Sequence, residues 1–326
     1  MGLIFSGHEW PAFYFGRCNN CTKAMVICAI IALIICRFLG FMALLHWHYI
    51  CNIRKLNFKK RGEFMDFKKI KFSIFEGIAS ILLNSPQNLN ALDGAMLDDL
   101  TAVLDLCADD EKVKVVVISA EGESFSAGGD IRMMLKGLEG NMSDLYGGVR
   151  KVGSAALRIR NLRKPVIASV KGAAAGAGFN LALLCDFRVA ADNAKFIQAF
   201  VNIGLVPDMG GTFLLTRMLG AARATELIMT GRPVTAQEAL SLGLVNRVVT
   251  LEELDKATME LAQKLCALPG VALGNMKALI NRAVFQGLEN SLDNEWEYQV
   301  QCSRTEDFKE GITAFAQKRK PVFKGK

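Results

Sequence analysis

From residue 66 onward the apolar and polar positions fall in blocks whose period changes along the chain. Ile70, Phe72 and Ile74 alternate with other residues, Glu76-Gly77 interrupts, and Ile78 and Ile81-Leu82-Leu83 resume, which predicts a β-hairpin about a short turn. Asp93 then precedes Met96, Leu97, Leu100, Val103, Leu104 and Cys107, one face of an amphipathic helix that Asp93 opens. Residues 113–119 (VKVVVIS) read as a buried strand. A long helix over 143–163, a strand over 165–170, a short helix over 179–184 and a strand over 187–191 come next. This alternation predicts an α/β domain with a largely parallel sheet. Beyond about residue 210 the pattern predicts almost only helices, near 211–219, 222–230, 235–241, 251–267, 271–287 and 289–317.

Composition adds a division. With 51% hydrophobic and 22% charged residues, the 326-residue chain is an ordinary folded one, which excludes disorder, collagen and a disulfide-stapled miniprotein. Its net charge of +7 is not evenly spread: residues 1–64 carry +6, from eight bases and two acids, and the remaining 262 residues carry +1. The larger part therefore offers no basic field for nucleic acid. All three histidines (His8, His46, His48) also lie before residue 65. Unless the leader contributes, Ser-His-Asp and Cys-His nucleophiles and histidine-bound zinc are excluded beyond it, so acid–base chemistry there rests on carboxylates, Lys, Tyr or Cys. Cys107, Cys185, Cys266 and Cys302 are widely spaced, as buried reduced thiols of a cytosolic protein would be.

Residues 24–45 of the leader form an apolar run broken by Arg37, long enough to span a membrane. If it inserts, Arg54, Lys55, Lys59, Lys60 and Arg61 outweigh Arg17 and Lys23 and keep the chain beyond the run in the cytoplasm. The other reading takes 1–64 as upstream sequence translated in frame, with Met65 as the start. Residues 60–64 (KRGEF) can be encoded with a purine-rich AGGAG just before the Met65 codon. On either reading the expected division is a leader over 1–64, a core over 65–260 and a helical region over 261–326.

Two Gly-containing loops come after buried strands: residues 124–131 (SFSAGGDI) and 172–180 (GAAAGAGFN). Neither has Walker or GxGxxG spacing. Bare loops with free N–H groups suit an anion or a developing oxyanion. Together with residues 86–92 (PQNLNAL), 181–186 (LALLCD), 204–212 (GLVPDMGGT) and 315–323 (FAQKRKPVF), they make residues 67–326 resemble the enoyl-CoA hydratase/isomerase (crotonase) superfamily. The resemblance implies stacked ββα turns in a spiral, C-terminal helices that build trimers or hexamers, an acyl-CoA substrate, and no cofactor beyond the coenzyme A it carries. It implies one backbone N–H each from Gly129 and Ala177 on the thioester oxygen. It also implies Ala127, Asp130 and Ile131 beside the adenine, and Phe315 and Lys318 reaching the coenzyme from the last helix, with a solvated helix end as the other reading of the basic residues there.

Hydratases of that family use two glutamates, and the matching positions here are Asn180 and Phe200. An amide and a phenyl ring exchange no proton, which favours an isomerase over a hydratase. Asp208 stands where related isomerases carry their single carboxylate, and the nearest likeness is to Δ3,Δ2-enoyl-CoA isomerases and the ring-opening isomerase of phenylacetate catabolism. Burial against Phe200 and Met209 would raise its pKa and its strength as a base. Asp208 also fits a helix N-cap ahead of Gly210 and Gly211. Asn180 and Phe200 are expected beside the acyl chain. A hydratase with rewired acid–base groups and a catalytically weak thioester binder held at a membrane are the alternatives.

Overall fold

The computed structural model describes residues 67–140 and 143–326. The apolar run at 24–45, the start at Met65 and the leader's charge lie outside them. Residues Phe67–Lys326 form one compact unit.

Strands β1 (Ile70–Phe75) and β2 (Ile78–Leu83) pair antiparallel, with Phe75 opposite Ile78. Glu76 and Gly77 both have positive φ, the backbone that a two-residue hairpin matched to the strand twist requires. Helix α1 (Gly94–Asp109) opens as expected, with the Asp93 carboxylate accepting the Met96 N–H at 2.9 Å. It buries Met96, Leu97, Leu100, Val103, Leu104 and Cys107. β3 (Val115–Ala120), β4 (Val166–Val170), β6 (Phe187–Ala191) and β9 (Arg247–Val249) complete a sheet of order β1-β2-β3-β4-β6-β9, parallel after its first pair.

A second sheet stands beside the first: β5 (Ala173–Ala175), β7 (Lys195–Ile197) and β8 (Pro233–Thr235). Ser126 joins its edge through a parallel bridge to Ala174. Two turns of chain thus place a strand in the first sheet and a short strand in the second before their helices, and in the turn before them the Ser126 bridge takes the short strand's place. β3 is followed by the Ser126 bridge and α2 (Ile131–Glu139) and α3 (Ser143–Asn161); β4 by β5 and α4 (Ala177–Leu184); β6 by β7 and then α5 (Gly211–Leu219) and α6 (Ala221–Thr230). The chain closes with α7 (Ala236–Ser241), α8 (Leu254–Cys266), α9 (Gly270–Val284), α10 (Leu288–Ser303) and α11 (Glu306–Ala316).

Two expectations are corrected. The C-terminal stretch is not wholly helical, because β8 and β9 interrupt it with three residues each, too few to show a period of two. The helix predicted over 289–317 breaks at Thr305, whose hydroxyl accepts the Phe308 N–H at 3.1 Å and starts α11 afresh. Among the described residues no helix is long and apolar enough to cross a membrane.

α9 is tied to the core by buried charge. Lys277 on α9 donates to the carbonyls of Ile159 (2.9 Å) and Lys164 (3.2 Å) and pairs with Asp186 at 2.7 Å, which also meets Arg160. Removing Lys277 leaves Asp186 paired with Arg160 alone and takes the donor from two carbonyls, at about 1–3 kcal/mol for each buried group left unsatisfied. Lys277→Met should therefore lower the unfolding free energy by about 3 kcal/mol, measured by urea denaturation.

Candidate functional site

The two Gly-containing loops lie side by side because the first runs along the start of the second as a strand. Phe125 N–H donates to Lys171 O (2.9 Å), Ser126 N–H to Ala173 O (3.0 Å) and Ala175 N–H to Ser126 O (2.9 Å). Beyond that bridge, Gly128 carries φ +87° and its bare Cα faces the second loop: a Cβ there would stand 2.6 Å from Ala175 O and 3.2 Å from Ala177 N. Residues 86–92 support the first loop from the other side, through Leu92 N–H to Gly128 O (2.7 Å) and Ala127 N–H to Leu89 O (2.9 Å).

Among the described residues, neither Gly129 N–H nor Ala177 N–H donates to a protein acceptor. Ala177 is the first residue of α4, so its N–H is one of those a helix leaves open at its positive end. Two such donors on neighbouring loops can share one oxygen that gains negative charge.

Asp208 precedes α5. It does not cap that helix: the N-cap is Gly210, and the Asp208 side chain accepts none of the helix's N–H groups. Its backbone carbonyl takes Gly211 N–H (2.9 Å) and the Asn180 amide (2.8 Å), and its own backbone N–H gives its carboxyl some support. Asp208 Oδ1 is buried without a hydrogen-bond partner, and burial pushes the carboxyl up to about 7. A carboxylate left unpaired in a dry place is strained toward taking a proton, which is what a general base needs.

Asn180 is fully buried on α4 and spends its amide on protein, since its carbonyl oxygen accepts Gln198 Nε2–H at 2.7 Å and its NH2 holds Asp208 O. It lies so close to α5 that a Cβ on Gly211 would fall 2.3 Å from Asn180 Nδ2. Phe200 is buried with its ring against Gly176 in the second loop. It belongs to an apolar cluster with Ile203, Leu205, Phe308 and Ile312, against which Ile131 and Met134 of α2 pack. Asp130 starts α2, accepting Arg132 N–H (2.9 Å) and the Asn88 amide (2.8 Å). Partial burial opposes its ionisation, but those hydrogen bonds and the Arg132 charge hold its carboxyl below the usual range. Asp130, Ile131 and Ala127 thus adjoin Gly129 in one loop. Phe315 and Lys318 stand exposed at the end of α11, and no hydrogen bond or ion pair joins their side chains to either loop.

One neighbour of Asp208 escaped the sequence reading. Glu295 of α10 is buried, and its carboxylate accepts Gly210 N–H (2.7 Å) and Thr212 N–H (3.1 Å), so it supplies the cap that Gly210 lacks. Burial first, and then the Asp208 charge, push its carboxyl up against those two donors. Its trace in the sequence is an acid at helical spacing from Leu288 and Leu292, on the face that α10 buries.

Residues 73–326 match the enoyl-CoA hydratase/isomerase family model. The chain is 37% identical over 263 residues to the trans-2-decenoyl-[acyl-carrier-protein] isomerase of Streptococcus mutans, covering 80% of this chain and all of that one. It is 37% identical over 252 residues to the 1,2-epoxyphenylacetyl-CoA isomerase of Escherichia coli, covering 77% and 96%. The crystal structure of an enoyl-CoA hydratase from Mycobacterium avium subsp. paratuberculosis superposes with a TM-score of 0.72 at 32% identity, covering 78% of this chain and 98% of that one.

Because a methyl group at 128 has no room and meets a positive φ, Gly128→Ala should part the two loops. Thioester turnover should fall about 10²-fold or more, as when one oxyanion donor is lost, in steady-state assays of folded protein. An unchanged rate would show that the spacing of the loops does not matter.

Proposed function

Since the chain belongs to the enoyl-CoA hydratase/isomerase family, we propose that it is an isomerase of unsaturated acyl thioesters, with Asp208 as the base and the N–H groups of Gly129 and Ala177 as the oxyanion donors. The observation that carries this reading is the buried, unpaired Oδ1 of Asp208, on a carboxyl pushed up to about 7.

For a 3-enoyl thioester the step balances with one proton. Asp208 takes a proton from C2, the electrons of that C–H bond form the C1–C2 double bond, and the displaced carbonyl electrons leave the oxygen carrying the charge of the dienolate between the two N–H groups; as the carbonyl re-forms, the C1–C2 electrons become the C2–C3 double bond. The proton returns to C4, and the C3–C4 double bond is gone. Nothing is oxidised, so the step calls for no cofactor beyond the substrate's own thioester. A positioned base contributes typically 10²- to 10⁴-fold, and each donor of the oxyanion pair about 10²- to 10³-fold. Hydration would need a second group to deliver the other proton. Asn180 and Phe200 stand at the positions where that chemistry needs glutamates, and Glu295 spends both oxygens on backbone N–H groups.

Coenzyme A is the carrier that the family points to, with Ala127, Asp130 and Ile131 beside the nucleotide and Phe315 and Lys318 arriving from a neighbouring subunit. The full-length likeness to an acyl-carrier-protein isomerase favours a second reading of the carrier alone, since the same carbonyl enters the same pair of donors. Assays of matched 3-decenoyl thioesters on the two carriers decide between them. The exposed apolar residues Val271, Met276, Leu279, Ile280 and Val284 on α9 support self-association into a trimer or hexamer. Leu279→Glu with Ile280→Glu should shift the protein to monomer in sedimentation; an unchanged assembly would place the contact elsewhere.

Asp208→Asn should abolish isomerisation while leaving thioester binding by calorimetry within about threefold, because the amide keeps the shape and loses the base. Turnover at the wild-type rate would refute the assignment. In the wild type, kcat/KM should rise with pH through about 7, as Asp208 ionises, and level off above it.

A further inference from the structure

The buried stripe of α10 is unusual in what it carries. Leu288, Leu292, Glu295, Gln299 and Ser303 all face inward at helical spacing. A carboxylate on such a face is costly unless hydrogen bonds satisfy it. Glu295 is satisfied by Gly210 N–H and Thr212 N–H, and one turn along the helix Gln299 donates its amide to Val206 O. One helix therefore grips the segment 206–212 on both sides of Asp208.

That segment needs a grip. Met209 has φ +54° and Gly210 φ +80°, and a side chain at the first of these is strained. The N-cap of α5 is a glycine without a side chain to close the helix, so the carboxyl of Glu295 does so from 85 positions away. Two N–H groups at the positive end of the helix hold its oxygens in place. Burial and the Asp208 charge work against those donors and push its carboxyl up to about 8, above Asp208 at about 7, so two carboxyls in one dry region share a single charge near neutral pH.

We propose that Glu295 is a positioning residue for the reaction: from α10, together with Gln299, it fixes the turn that presents Asp208 to the substrate. The proposal rests on the reading of Asp208 as the base.

The other charged groups around the pair are turned away or paired. Glu289, Asp293 and Glu297 of α10 are exposed. On α3, Arg150 lies over the Trp296 ring at 4.6 Å, Lys151 pairs with Asp98 and Arg158 with Asp105. On α5, Arg217 covers Phe213. On α11, Glu310 pairs with Arg319, Asp307 accepts Lys324 N–H, and Glu306 faces Lys324. The Asn180 amide on α4 is neutral and bound to the Asp208 carbonyl.

The test is kcat and KM across pH on a 3-enoyl thioester for full-length wild type, Glu295→Gln, Gln299→Met and Asp208→Asn. Glutamine keeps the shape but only one of the two acceptors, so Glu295→Gln should lower kcat about tenfold or more, with KM within about threefold and the rising limb left in place. Gln299→Met loosens the same grip from the other side of Asp208 and should lower kcat in the same way. Wild-type kcat in folded Glu295→Gln, or a loss carried by KM alone, beside an inactive Asp208→Asn, overturns the proposal and spares the base. Full turnover in Asp208→Asn overturns the base reading itself, and the proposal with it. Should Glu295→Gln not fold, Gln299→Met decides on the same terms, and its wild-type kcat overturns the proposal.

Discussion

The parallel hydrogen bonds between Ser126 and residues 173–175 fix the spacing of two loops that lie nearly fifty residues apart in sequence. Much of the site depends on that spacing. It sets Gly128, the residue before Gly129, against Ala175 and Ala177 at the positive end of α4, and the absence of a side chain at Gly128 lets the backbones come so close. A hydrogen-bond donor pair of this kind owes its strength to being held before the charge appears, which a rigid two-sheet edge provides and a mobile loop does not.

The second constraint is electrostatic. Asp208 is placed by contacts to its backbone while its Oδ1 stays unpaired: Asn180 and Gly211 hold the carbonyl, and α10 holds the residues on either side. The cost of a dry carboxyl is met by packing and hydrogen bonds elsewhere, and burial pushes that carboxyl up to about 7, where the proposed role of base would need it. The same arrangement accounts for the glycine at the head of α5, since a side chain at 211 would strike Asn180.

Much of this was legible in the sequence. The hairpin turn at Glu76-Gly77, the cap at Asp93, the long strands and the two loops all have short-range causes: turn residues, a capping side chain, an apolar run. Family likeness led to Asp208, and its burial bears out the raised pKa expected of it, while Gly210 and not Asp208 occupies the N-cap. What escaped was non-local. β5, β7 and β8 are three residues each and exist because they pair with one another. Glu295 reads as one more acid in a charged helix until the fold lays α10 along the Asp208 turn, and the hold of the Asn180 amide on Asp208 O and Gln198 is likewise set by the fold.

The central claim is that the Asp208 carboxylate moves the proton between substrate carbons. It is tested most directly by monitoring hydrogen exchange at C2 of a bound saturated thioester in deuterium oxide, by NMR, in wild type and Asp208→Asn. No product forms from that substrate, so the readout isolates proton abstraction. The account predicts exchange in the wild type that rises with pH through about 7 and is absent in the variant; exchange at the wild-type rate in Asp208→Asn would contradict it.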